Sequence, residues 1–189
     1  MSAIHAPASL RKRDWKWGPM PINALLPPVS VFVTSVLVLL PWGLGDGVRF
    51  VLPLIPLLSL HYWELRQPHA MPASVAFAAG LAHDVVMQGP VGLWALLFLA
   101  ALAIARATAP FAGASGPLGR LALTAVTLAV IVAGEWAVGS IYYVRILDWR
   151  PMILAGLAAL VIYPVLAIVL AAVARLAGQG RPRMFARGN

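Results

Sequence analysis

Long apolar runs broken by short polar joints constrain this chain more than any other feature of it. Crossing the roughly 30 Å of hydrocarbon in a bilayer takes about 20 mostly apolar residues. The sequence divides into six stretches near that length, at residues 22–42, 48–65, 71–87, 90–108, 120–143 and 151–176. With a mean hydropathy of +0.87 and only 11% charged residues, too little polar surface is left over for a soluble domain. The expected fold is an all-α integral membrane protein: a bundle of six transmembrane helices over residues 22–176, between a basic arm at 1–21 and a basic tail at 177–189. The first run has a basic flank but no A-x-A site after it, so it reads as an uncleaved helix rather than a secretory signal.

An even number of spans puts both termini on one side, and the basic residues orient them. Eleven lysines and arginines fall on the side of the termini, among them Arg11, Lys12, Arg13, Lys16, Arg66, Arg106, Arg120 and Arg175. Only Arg49, Arg145 and Arg150 fall on the other. The positive-inside rule then makes both termini cytoplasmic and puts the turn at residues 88–90 outside. Trp15 and Trp17 in the arm suit the headgroup level, where basic residues also gain from anionic lipid. The net charge of +8 is dispersed over segment ends instead of gathered in a patch, which argues against nucleic acid as a partner.

Chemistry has few footholds. The absence of cysteine removes disulfides, thiolate catalysis and thiolate-bound metal. Ser59, Ser74 and Ser140 lack a G-x-S-x-G context, and no HExxH or glycine-rich phosphate loop occurs. His61 and His83 belong to opposite ends of the bundle and cannot share an ion. No catalytic residue, cofactor or metal is therefore expected.

The polar residues inside the apolar runs remain. Residues 80–96 read G-L-A-H-D-V-V-M-Q-G-P-V-G-L-W-A-L, placing a His-Asp pair one turn before a helix break. Ala76, Gly80 and Asp84 recur every four residues and share one face, a stripe that admits a close neighbour. Asp84 lies about 6 Å of helix from the turn, and Glu135 about 12 Å from its own end near Tyr143. Both acids thus occupy the same half of the bundle, and a polar cluster of His83, Asp84, Glu135 and Arg150 is the expected candidate site. For Asp84 three roles stand open: a packing acid satisfied by backbone or a neighbouring donor, a site that moves protons or substrate, and an intersubunit contact. Glu64, beside Arg66, is expected to be solvated. Pro53 and Pro56 are expected to bend the second helix and Pro164 the sixth. Residues 109–119 read as a hinge, and Trp94, Phe98, Ala101 and Ala105 as a stripe facing lipid or a partner.

The order Tyr62-Trp63, Leu65, Pro68, Gly80, Asp84, Gly89-Pro90, Gly92, Ala95, Leu96 resembles the MreD family of rod-shape-determining membrane proteins. The likeness covers residues 62–102. The chain departs from the family pattern in having no spacer between Gly89 and Pro90, Val91 in place of the usual leucine, and His83 before the aspartate. The resemblance implies a non-enzymatic membrane scaffold of the cell-elongation complex, supporting cell shape and lateral peptidoglycan synthesis. Its implied partner is the transmembrane helix of MreC, with MreB, RodA and a class B penicillin-binding protein in the same assembly. On this reading Ala76, Gly80, Asp84, Gly89, Pro90, Gly92, Trp94 and Phe98 serve partner binding or helix packing. The family is also similar to the six-helix substrate-binding subunits of energy-coupling-factor vitamin transporters. That likeness implies the alternative function, a binding subunit for a small solute.

Overall fold

A computed structural model describes residues 22–40, 43, 50–113 and 115–177. The basic arm, the joint containing Asp46 and Arg49, and the basic tail at 178–189 lie outside the described residues. Among the described residues all regular structure is helical: α1 (Ile22–Leu39), α2 (Leu54–Arg66), α3 (Ala73–Met87), α4 (Leu93–Ala112), α5 (Gly116–Tyr142) and α6 (Arg150–Leu176). Three of these, α4, α5 and α6, are long and apolar enough to cross a membrane. Their outward faces carry large apolar side chains such as Leu154, Val161, Val165 and Ile168, the surface expected of a protein that sits in lipid.

The shortest helix is the centre of the bundle. α2 has 13 residues, about 20 Å of rise, and 11 of them are buried. It packs against α1, α4 and α6 and more lightly against α5, while α3 lies mainly on α4 and also touches α1. A helix sheathed on all sides meets protein instead of lipid, so its length need not match the hydrocarbon, and its sequence can carry Ser59, His61 and Glu64. Trp63 ties it to α1: its indole Nε1 donates to Ser30 Oγ at 2.6 Å, and that hydroxyl donates to the Pro27 carbonyl oxygen at 2.8 Å. α5 and α6 are joined by a link that folds back, with Trp136 Nε1 donating to the Leu147 carbonyl oxygen at 2.9 Å and Leu147 N to Ser140 Oγ at 3.2 Å.

Several local expectations need correction. Pro53 caps α2 and Pro56 lies in its first turn, where the missing N–H costs nothing, so both start that helix instead of bending it. The hinge contracts, because α4 runs on through Pro110 to Ala112 and α5 begins at Gly116. Pro90 lies in the turn before α4 and not in its first turn, its carbonyl accepting from Leu93 N at 3.1 Å. The stripe of Trp94, Phe98, Ala101 and Ala105 is buried within the chain and faces α4's neighbours, neither lipid nor a partner.

Candidate functional site

The α3–α4 hairpin is built by two residues one helical turn apart. Gly80 sits where any side chain would meet backbone: a Cβ there would lie 2.5 Å from both Ala95 Cα and the Trp94 carbonyl oxygen. Its lack of a side chain lets the start of α4 lie directly on α3. Four residues on and on the same face, Asp84 is 2% exposed and turns its carboxylate to the N-terminus of α4. Oδ1 accepts from Trp94 N at 2.7 Å, and Oδ2 from Gly92 N at 2.9 Å and Ala95 N at 3.3 Å.

This closes the account of the helix end. The first N–H groups of a helix have no partner in the helix itself and must be satisfied from outside. Here Leu93 N donates to Pro90 O, Trp94 N and Ala95 N donate to Asp84, and the ladder begins with Leu96 N to Gly92 O at 2.9 Å. The negative carboxylate also stands at the positive end of the helix dipole. Gly92 adopts φ +93, a left-handed conformation that glycine takes without strain, and so turns the chain in time for those N–H groups to face α3.

The residues of the expected polar cluster are not brought together. His83 is buried beside Asp84 but points elsewhere: its Nδ1 lies 2.8 Å from the Ala79 carbonyl oxygen, which can only accept and so assigns the proton to Nδ1. Its Nε2 has no partner, and the ring lies 5.4 Å from Phe98 and 6.5 Å from Trp94, centre to centre. Arg150 is exposed at the start of α6, where its backbone N donates to Asp148 Oδ1 at 3.1 Å. Glu135 stands apart from both and lines a cleft of about 590 Å³ at the turn end of the bundle. Phe50, Pro90, Leu93, Trp94 and Met152 form its walls, with Tyr143, Arg145 and Asp148 also lining it. Arg145, which stacks over the Tyr143 ring at 5.9 Å, and not Arg150, is thus the arginine that shares a cavity with Glu135. The reason is the link between α5 and α6, which turns Arg145 back toward the cleft before α6 starts.

A second buried carboxylate mirrors the first. Glu64 is fully buried, contrary to the expectation that it is solvated. Its Oε1 accepts from His69 N at 2.6 Å and its Oε2 from Met71 N at 3.2 Å, holding the turn between α2 and α3. Arg106 of α4 pairs with it, Nε to Oε1 at 3.0 Å, and also donates Nη2 to the Met71 carbonyl oxygen at 2.7 Å. The partner lies 42 positions away in sequence, so hydropathy gives no sign of it. The one local sign is an acid placed just before the donors of a proline-containing turn. Among the described residues no three His, Cys, Asp or Glu side chains come together as a metal site.

Comparison with protein-family models, with curated proteins and with solved structures returns no match.

Both carboxylates act on backbone, so their removal should register in stability. Asp84→Ala leaves buried N–H groups without a partner and is expected to cost about 2–4 kcal/mol, Glu64→Gln about 1–3 kcal/mol. Gly80→Ala is expected to cost about 1–3 kcal/mol through overpacking against backbone. Unfolding of the purified protein in detergent, followed by fluorescence size exclusion, measures all three; an Asp84→Ala protein within about 0.5 kcal/mol of wild type would remove the cap from the account of the fold.

Proposed function

We propose that this protein is a non-enzymatic membrane scaffold of the bacterial cell-elongation complex, partnered with the transmembrane helix of an MreC-type protein. The observation that supports this reading is the use made of the residues that resemble the MreD pattern. Gly80, Asp84 and Gly92 fix the register of the α3–α4 hairpin, and Trp63 fastens α2 to α1. Residues spent on holding helices in place, with none presenting a nucleophile or a base to a cavity, suit an assembly component better than a catalyst. MreB, RodA and a class B penicillin-binding protein are the further partners this reading carries, in the inner membrane.

The same reading takes all six helices as spans and both termini as cytoplasmic. The charge asymmetry supports it, and the sheathing of α2 removes the objection that this helix is short. A second reading, a binding subunit for a small solute, is favoured by one observation: the cleft over Glu135, whose volume falls within the range of ordinary small-molecule pockets.

Affinity purification from detergent should recover a single-span, coiled-coil partner, and Gly80→Leu should abolish both recovery and rod shape while Glu135→Gln preserves both. Recovery of no such partner by the wild-type protein overturns the scaffold. Reporter fusions at the two termini should both report cytoplasm, and an outside signal from either rejects six spans. If the solute reading holds instead, mass spectrometry of the purified protein finds a bound small molecule that Glu135→Gln loses; the test falls on Glu135 because the carboxylate of Asp84 is occupied by backbone.

A further inference from the structure

At the end of the bundle opposite the α3–α4 turn, three arginines from three different segments line one cleft. Arg66 comes from the end of α2, Arg120 from the first turns of α5 and Arg175 from the last turn of α6, around a volume of about 410 Å³. Among the described residues no acidic side chain lines it. Arg66 lies over the Tyr62 ring at 5.1 Å, a cation–π contact that fixes the guanidinium plane and leaves its N–H groups to donate. Arg120 is steadied by its Nε, which donates to the Ala112 carbonyl oxygen at 3.3 Å. Three like charges held about one cavity repel each other unless an anion lies between them.

The cleft does not end at the arginines. Arg66, Arg120, Leu65 and Ala171 also line a second cavity of about 390 Å³, which continues between α5 and α6 along Leu121, Pro164 and Ile168. That groove is apolar, and the ring-bearing residues Tyr62 and Tyr163 also line it.

We infer that Arg66, Arg120 and Arg175 bind the phosphate of an anionic phospholipid whose acyl chain lies in the groove between α5 and α6. A cationic cleft alone fits any phosphate. The lipid is selected by continuity with an apolar groove on the outside of the bundle, since a soluble anion gains nothing from Leu121, Pro164 or Ile168. Basic pockets between membrane helices suit such headgroups, which meet point charges at the mouth and apolar wall below. Arginine suits the task because its planar fork meets two phosphate oxygens at once. The inference does not depend on the identity of any protein partner.

Native mass spectrometry of the full chain, released from mixed micelles with dioleoyl phosphatidylglycerol and dioleoyl phosphatidylcholine in equal amounts, tests it. The tails are identical, so only the headgroup can discriminate. The wild type should retain phosphatidylglycerol preferentially. Arg66→Gln with Arg175→Gln, both exposed positions, should lower that preference by about thirtyfold, taking roughly 1 kcal/mol for each arginine. Arg145→Gln with Arg150→Gln removes equal charge at the other end and should leave it unchanged. Equal retention of the two lipids by the wild type overturns the site, and so does an equal fall in both double variants, which would mean bulk charge. Glycerol 1-phosphate should compete only weakly. If the soluble phosphate displaces the lipid at equal concentration, the groove contributes nothing and the lipid assignment fails. These last comparisons need only the wild-type protein, so a poorly folding variant does not spare the proposal.

Discussion

In an apolar medium a free backbone N–H has nowhere to turn, and the architecture of this chain rests on how Asp84 meets that requirement. Three N–H groups at the start of α4 converge on one carboxylate from α3, and that convergence sets the distance, the rotation and the register of the two helices. α4 then supplies the wall against which α2 packs, and α2 is the core of the bundle. Glu64 holds the turn between α2 and α3 in a similar way, with Arg106 of α4 balancing the charge. The turns before and after α3 are therefore each held by a buried acid that accepts from backbone N–H groups.

How much of this can be read in the sequence depends on the range of the interaction. The helices announce themselves because hydropathy is summed over many residues, and the shared face of Ala76, Gly80 and Asp84 follows from spacing alone. The partner of Asp84 is partly legible too, since a helix that restarts after Gly89-Pro90 has donors in need of an acceptor. Glu64 misleads, because an acid near an arginine at a helix end looks solvated, and only the packing of α4 against the α2–α3 turn buries it. Arg150 misleads for a similar reason: the fold-back held by Trp136 and Ser140 turns Arg145, five residues earlier, toward the Glu135 cleft. Local chemistry fixed the types of residue, and the choice among them needed contacts between distant segments.

The two ends of the bundle also differ in electrical character. The turn end holds the Glu135 cleft, where a buried carboxyl lies among apolar residues with Arg145 and Asp148 beside it, while the opposite end gathers arginines from α2, α5 and α6. That difference parallels the distribution of basic residues along the whole chain.

The hairpin also makes neighbouring helices depend on one another. α3 carries His83 and Asp84 in its last two turns, and an acid left unmatched in apolar surroundings is costly. With α4 in place, the same carboxylate is matched by the N–H groups it caps, and that charge is no longer isolated. The carboxylate of Asp84 meets its donors on α4, and Glu64 of α2 meets Arg106 of the same helix, so α2, α3 and α4 depend on one another for the satisfaction of their buried polar groups.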